Sequence, residues 1–195
     1  MGTYMGNQKG QTINASAKDD SIFARAGNDT IYGNGGNDLI YAGAGNDVAH
    51  GGAGNDNITG GEGNGTPSGD DQLYGDDGND NIGGEDGNDY LDGGTGDDQL
   101  SGGAGNDTLV GGSGADVFGF YAGAGSPGED RIMDFQTGVD KIDLYGFKVT
   151  SADLSFSASG ADTIVGVDLN HDGNADFHIT LVGVGQPATS DFMFG

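Results

Sequence analysis

Residues 84–119 read Gly84-Glu85-Asp86-Gly87-Asn88-Asp89-Tyr90-Leu91-Asp92, Gly93-Gly94-Thr95-Gly96-Asp97-Asp98-Gln99-Leu100-Ser101, Gly102-Gly103-Ala104-Gly105-Asn106-Asp107-Thr108-Leu109-Val110 and Gly111-Gly112-Ser113-Gly114-Ala115-Asp116-Val117-Phe118-Gly119. The four blocks share a nine-residue period, with glycine at positions one and four, aspartate at six and an apolar residue at eight. Working outward, the same unit extends from about residue 15 to residue 119. Its sixth position is Asp20, Asp29, Asp38, Asp47, Asp56, Asp71, Asp80, Asp89, Asp98, Asp107 and Asp116, without exception. Its eighth is Ile22, Ile31, Ile40, Ala49, Ile58, Leu73, Ile82, Leu91, Leu100, Leu109 and Phe118, large in every copy but one.

Each unit joins a Gly/Asn/Asp segment, whose glycines permit positive φ, to a three-residue strand with one inward side chain. A single apolar residue in nine is buried only if copies stack, which predicts an all-β solenoid of parallel strands about 4.8 Å apart around a thin Ile/Leu ladder. Two facing units make one coil, so residues 18 apart lie above one another. Asp38 then sits over Asp56, Asp80 over Asp98 and Asp98 over Asp116, while Asp29 over Asp47 and Asp89 over Asp107 occupy the opposite edge. Carboxylates stacked at strand spacing repel unless a cation lies between them. Two carboxylates with several turn carbonyls form the all-oxygen shell that Ca²⁺ prefers; magnesium demands a tighter octahedron, and zinc or copper wants the His and Cys that this chain hardly has. Turn preference alone would mix residues at position six, as it does at position five, which reads Asn in most copies but Asp19, Asp97 and Ala115 in others.

The composition agrees. The 195 residues include 43 glycines, 3 prolines and no Cys or Trp, which excludes collagen and thiolate metal sites and leaves little for a wide core. A formal charge of −25 calls for cations and leaves six basic residues, too few for a nucleic acid partner or an anionic membrane. No apolar run reaches the length of a membrane span, so no transmembrane segment is expected, and the first residues lack the apolar stretch of a cleavable signal peptide.

The stretch from residue 33 to residue 118 resembles the repeats-in-toxin (RTX) family, whose nonapeptides form a right-handed parallel β-roll. The resemblance implies that each Ca²⁺ takes the sixth-position aspartate with the carbonyls of positions two and four from one turn, and the aspartate with the carbonyls of positions one and three from the next. Carried over, Gly94, Gly96 and Asp98 face Gly111, Ser113 and Asp116, while Glu85, Gly87 and Asp89 face Gly102, Ala104 and Asp107. The same rule pairs Asn34, Gly36 and Asp38 with Gly51, Ala53 and Asp56, and Asp76, Gly78 and Asp80 with Gly93, Thr95 and Asp98. It also assigns Gly43 and Gly45 beside Asp47, and extends the ligand set to Asp29 and Asp71. Departures mark the first turns: Lys18 replaces the fourth glycine and Ala24-Arg25-Ala26 opens the next copy, so residues 1–23 are expected to cap the roll of residues 24–119, with Asp20 a poor ligand. The copy holding Asp71 is six residues longer, with a loop near residues 64–70. Ala49 marks a thin spot in the ladder.

From residue 120 the period gives way to alternating segments, 130–135, 141–144, 154–156, 163–167, 177–182 and 192–194, expected as strands of a small C-terminal β-sandwich cap over residues 120–195. Asp116-Val117-Phe118, Asp130-Arg131-Ile132-Met133-Asp134-Phe135, Asp140-Lys141-Ile142-Asp143-Leu144 and Asp176-Phe177 resemble the C-terminal region of serralysin-type metalloproteases and exported lipases. That resemblance implies an uncleaved type I secretion signal at Asp191, Phe192, Met193 and Phe194, the ABC-type secretion machinery as a partner, and an extracellular location. Asp168-Leu169-Asn170-His171-Asp172-Gly173 copies the first half of an EF-hand loop, but position twelve is Ile179.

No enzymatic activity is expected. His50, His171 and His178 form no H-E-x-x-H, and no serine lies in G-x-S-x-G. Three roles stay open: a module that folds on calcium after export, a calcium-dependent binder of a polysaccharide or cell surface (suggested by a resemblance to the repeat modules of alginate epimerases), and the C-terminal module of a larger secreted metalloprotease, lipase or epimerase.

Overall fold

The computed structural model describes residues 1–61, 68–121 and 127–195. In chain order its strands are β1 (Thr3–Met5), β2 (Thr12–Asn14), β3 (Ser21–Phe23), β4 (Thr30–Gly35), β5 (Leu39–Tyr41), β6 (Val48–Ala53), β7 (Asn57–Thr59), β8 (Gln72–Asp77), β9 (Asn81–Asp86) and β10 (Tyr90–Thr95). The second half continues with β11 (Gln99–Ala104), β12 (Thr108–Ser113), β13 (Val117–Gly119), β14 (Glu129–Ile132), β15 (Lys141–Asp143), β16 (Leu154–Ser159), β17 (Asp162–Val167), β18 (Phe177–Leu181) and β19 (Phe192–Met193). Successive strands of the repeat alternate between two sheets, ordered β1-β3-β5-β7-β9-β11-β13-β15-β19 and β16-β17-β18-β14-β12-β10-β8-β6-β4-β2. This is a parallel β-roll. Ser21 pairs with Leu39 and Tyr90 with Thr108, the expected 18-residue register. Across the insertion the register lengthens without a slip in facing: Val48 pairs with Gln72 and Asn57 with Asn81.

Because strand side chains alternate, holding this register puts every eighth-position residue inside. Ile22, Ile31, Ile40, Ile58, Leu73, Ile82, Leu91, Leu100, Leu109 and Phe118 are all at most 1% exposed. Ala49 is equally buried, between Ile31 and Leu73. Ile132 and Ile142 carry the ladder past the last repeat.

The two expected domain boundaries are not breaks in the sheets. Residues 1–23 supply β1 to β3 in the same register, with Thr3 opposite Ser21, so they form the first coil of the roll itself. At the other end β14, β15 and β19 extend the two sheets in parallel, and the antiparallel strands β16 to β18 continue one of them. All six expected C-terminal strands are present within a few residues of their predicted bounds. Of the expected loop near 64–70, residues 64–67 fall outside the described residues. The segment assigned to secretion is the last strand: Asp191 is fully buried and Phe192 nearly so.

With one side chain per unit in the core, each rung matters. Leu100→Ala is expected to lower stability in calcium by about 2–5 kcal/mol, whereas Asn57→Ala, on the exposed face, should stay within about 0.5 kcal/mol; chemical denaturation measures both.

Candidate metal centre

The tight turns between the sheets bring the sixth-position aspartates to the two edges of the roll. All eleven are nearly inaccessible to solvent, at most 3% exposed. On one edge the Asp20 N–H donates to Asp38 Oδ1, Asp38 to Asp56, Asp56 to Asp80, Asp80 to Asp98 and Asp98 to Asp116, at 2.7–3.0 Å. On the other, Asp29 donates to Asp47, Asp47 to Asp71, Asp71 to Asp89 and Asp89 to Asp107, at 2.6–2.8 Å. Each backbone N–H thus holds the carboxylate of the next rung by a single oxygen. Position five runs a second ladder in the opposite sense: Asn55 N–H donates back to Asn37 Oδ1, Asp97 to Asn79 and Asn106 to Asn88. That polarity explains Asn and Asp at position five, where an acceptor is needed, and Ala115 at its end, where the N–H still reaches Asp97 Oδ1.

The second carboxylate oxygen is the decisive atom. The Oδ2 atoms of Asp29, Asp38, Asp47, Asp56, Asp71, Asp80, Asp89, Asp98, Asp107 and Asp116 are buried without a hydrogen-bond partner among the described residues. A native fold satisfies such groups, so ten of them in two rows point to a ligand. Eight of the ten sit over the position-one glycine of their own unit. A Cβ added to Gly93 would collide with Asp98 Oδ2 and stand 2.7 Å from the Gly111 carbonyl oxygen. Gly75, Gly84 and Gly102 stand in the same relation to Asp80, Asp89 and Asp107. Glycine at position one therefore keeps an oxygen-lined cradle clear. Ala24 and Ala42 take that position in the Asp29 and Asp47 units, so those cradles already hold a methyl group.

Carbonyls complete the lining. The position-two and position-four carbonyls of one rung underlie the same positions of the next: a Cβ on Gly45 would stand 2.5 Å from Gly27 O, and one on Gly96 would collide with Gly78 O. The structure thus gathers Asn34, Gly36, Gly43, Gly45, Asp76, Gly78, Glu85, Gly87, Gly94 and Gly96 along the two edges, with Gly51, Gly93, Gly102 and Gly111 facing them from the next rung. The position-three carbonyls of Ala53, Thr95, Ala104 and Ser113 already accept the N–H of Gly36, Gly78, Gly87 and Gly96, at 2.8–2.9 Å. Among the described residues no three His, Asp or Glu side chains converge as a metal cluster. An ion on these edges would draw on two carboxylates and otherwise on backbone oxygen, a donor set that fits calcium.

Two further aspartates, outside the nonapeptides, extend the ladders. Asp107 N–H donates to Asp130 Oδ1 at 2.7 Å and Asp116 N–H to Asp140 Oδ1 at 3.1 Å. Both are 1% exposed. The signal was there in sequence: Gly128-Glu129-Asp130-Arg131-Ile132 and Gly138-Val139-Asp140-Lys141-Ile142 keep the second half of the unit. Asp134 closes the stack, its two oxygens accepting the N–H of Gly111 and Gly112. The EF-hand-like loop is different. Asp168 and Asp172 accept N–H groups of their own loop, and Asp176 those of Leu169 and Asn170, which makes it a turn.

Against this geometry, the model of the RTX calcium-binding nonapeptide repeat matches four times, at residues 5–40, 32–67, 68–91 and 83–118. The chain belongs to the RTX calcium-binding repeat family. No curated protein matches it. Among solved structures, this RTX chain is similar to the AlgE6R2 subunit of the Azotobacter vinelandii mannuronan C5-epimerase, 31% identical over 65% of this chain and 88% of that one, with a TM-score of 0.48. The AlgE6R3 subunit of the same epimerase is 30% identical over 72% and 78%, with a TM-score of 0.34. The extracellular lipase LipA of Serratia marcescens is 16% identical over all of this RTX chain and 40% of that chain, with a TM-score of 0.36.

Burial dominates the electrostatics of the edges. It pushes the carboxyls of Asp38, Asp47, Asp107 and Asp116 up to about 6, of Asp80 and Asp89 to about 7 and of Asp71 and Asp130 to about 8, from an ordinary 3.8. N–H donation from the preceding aspartate opposes the rise, and neighbouring carboxylates such as Asp56 beside Asp38 add to it. A carboxyl raised in the fold favours folding while protonated and opposes it once charged. In chelator, the melting temperature is therefore expected to be highest near pH 4 and to fall as pH rises through 6 to 8. In millimolar calcium the fall should vanish or reverse, because a bound cation stabilises the charged form. A chelator profile flat between pH 4 and 8 contradicts this.

Proposed function

We propose that this chain is a non-catalytic, calcium-folded module of an extracellular protein exported by a type I route. The reading rests on the ten buried, unpartnered aspartate oxygens, which a folded chain tolerates only with cations beside them. Asp38, Asp56, Asp80, Asp98 and Asp116 would hold calcium on one edge, and Asp29, Asp47, Asp71, Asp89 and Asp107 on the other, with the turn carbonyls named above. Calcium supplies positive charge and six to eight oxygen contacts; the chain supplies the spacing. At cytosolic calcium the −25 charge and the entropy of 43 glycines favour the unfolded chain; at the millimolar calcium outside cells, ion binding and folding proceed together. Export before folding also fits an Asp191, in the turn just before the last strand, that is wholly buried once the roll has formed.

The histidines support the absence of catalysis. His50 stacks between Tyr32 and Tyr74 at 5.4 and 4.6 Å and pairs with Asp76, while His171 pairs with Asp153 and His178 with Glu129, each on the outer surface. Among the described residues their partners are carboxylates and, for His50, tyrosine rings.

Far-ultraviolet circular dichroism during calcium titration checks the proposal. Strand signal should be weak in excess chelator and rise over about 10⁻⁴–10⁻³ M calcium. Full strand signal in chelator at pH 7.5 refutes it.

A further inference from the structure

The two ends of the edge that runs from Asp20 to Asp140 differ from its middle in one atom. Asp20 Oδ2 accepts the Ser16 N–H at 2.9 Å and the Ser16 hydroxyl at 2.7 Å, and Asp140 Oδ2 accepts the Gln136 N–H at 2.7 Å. In both, the donor stands at position two of the unit that ends in that aspartate. Both donors lie outside the left-handed region.

In nine of the ten units whose Oδ2 is unpartnered, position two is instead left-handed, with φ from 73° to 113°. The tenth, that of Asp71, is the one interrupted by the insertion. A left-handed residue directs its N–H to the next rung, as Gly43 does to the Gly60 carbonyl at 2.8 Å, and so away from its own aspartate. Five of the nine are glycine, for which this conformation costs little. The other four are Arg25 at 79°, Asn34 at 75°, Asp76 at 73° and Glu85 at 75°, where a Cβ strains this conformation, more for Arg and Glu than for Asn and Asp.

We propose that position two gates each calcium site. Left-handed, it leaves the aspartate Oδ2 open to the ion; at Asp20 and Asp140, where it is not left-handed, its own N–H caps that oxygen and closes the site. The gate rests on the calcium reading above and assigns an order to it. Units with glycine at position two are held open without strain, so the sites of Asp98, Asp107 and Asp116, behind Gly94, Gly103 and Gly112, fill first. Those of Asp80 and Asp89, behind Asp76 and Glu85, must draw on binding energy to hold a strained residue open and fill later. The acidic side chains of Asp76 and Glu85 attract the ion and work against this order, so charge and backbone need separate variants.

Calcium titration followed by the backbone amide resonances of the aspartates reads each site within one molecule. In the unaltered chain, Asp98, Asp107 and Asp116 are expected to reach their calcium-bound positions at lower calcium than Asp80 and Asp89. Glu85→Gly should lower the Asp89 midpoint about fivefold relative to Asp98. Glu85→Gln, which removes the charge and keeps the Cβ, should leave Asp89 late. The gate is overturned if Asp89 fills with or before Asp98 in the unaltered chain, if all rungs fill in a single step, or if Glu85→Gln advances the site as far as Glu85→Gly. A chain whose resonances ignore calcium altogether contradicts the calcium reading itself, an outcome separate from these.

Discussion

Stacked carboxylates govern this molecule. Each edge of the roll carries a row of aspartates one rung apart, and each is oriented by a hydrogen bond from the aspartate before it. The same hydrogen bonds that fix the spacing leave one oxygen of each carboxylate facing a gap lined by carbonyls. Buried, like-charged and unpartnered, such a row opposes the fold that creates it unless protons or metal ions neutralise it. Fold and binding site are consequently one object, described once as a ladder of strands and once as a ladder of ligands.

The interior is too thin to set the balance by itself. One Ile, Leu or Phe per nine residues gives a single file of side chains, and Ala49 narrows even that. The outer faces add modest stacking, Phe23 on Tyr41 at 5.4 Å and the run of Tyr32, His50 and Tyr74. Glycine, which weakens an ordinary strand, stands at position one in the eight units where a Cβ would meet the aspartate oxygen. What reads as low complexity in composition is the steric requirement of the edge.

Much of this was legible in the residues because a strict nine-residue period leaves few ways to bury its apolar position. The alternating strands, the 18-residue register, the inward ladder and the two rows of aspartate all follow from it. What stayed hidden lies where the period breaks or where backbone geometry decides. Asp130 and Asp140 stand 23 and 24 residues beyond Asp107 and Asp116, so a search at fixed spacing passes over them although the glycine, aspartate and isoleucine of the half-unit persist. The first coil, with Tyr4 and Ile13 facing the core, reads in sequence as a cap because Lys18 replaces the fourth glycine and Ala24-Arg25-Ala26 opens the next copy. The left-handed backbone at Glu85 has no sequence signature, since glutamate usually avoids it.

The two ends of the roll are built from substitutions for what the middle lacks. Ser16 and Gln136 satisfy Asp20 and Asp140, the terminal aspartates of one edge, and Asp134 supplies acceptors to the N–H groups of Gly111 and Gly112 that a further rung would otherwise provide. The most direct test of the whole account is anomalous diffraction from a crystal grown in millimolar calcium. It should show ions between successive rungs on both edges, each within about 2.3–2.6 Å of an aspartate Oδ2. Peaks explained by water alone at those oxygens would contradict it.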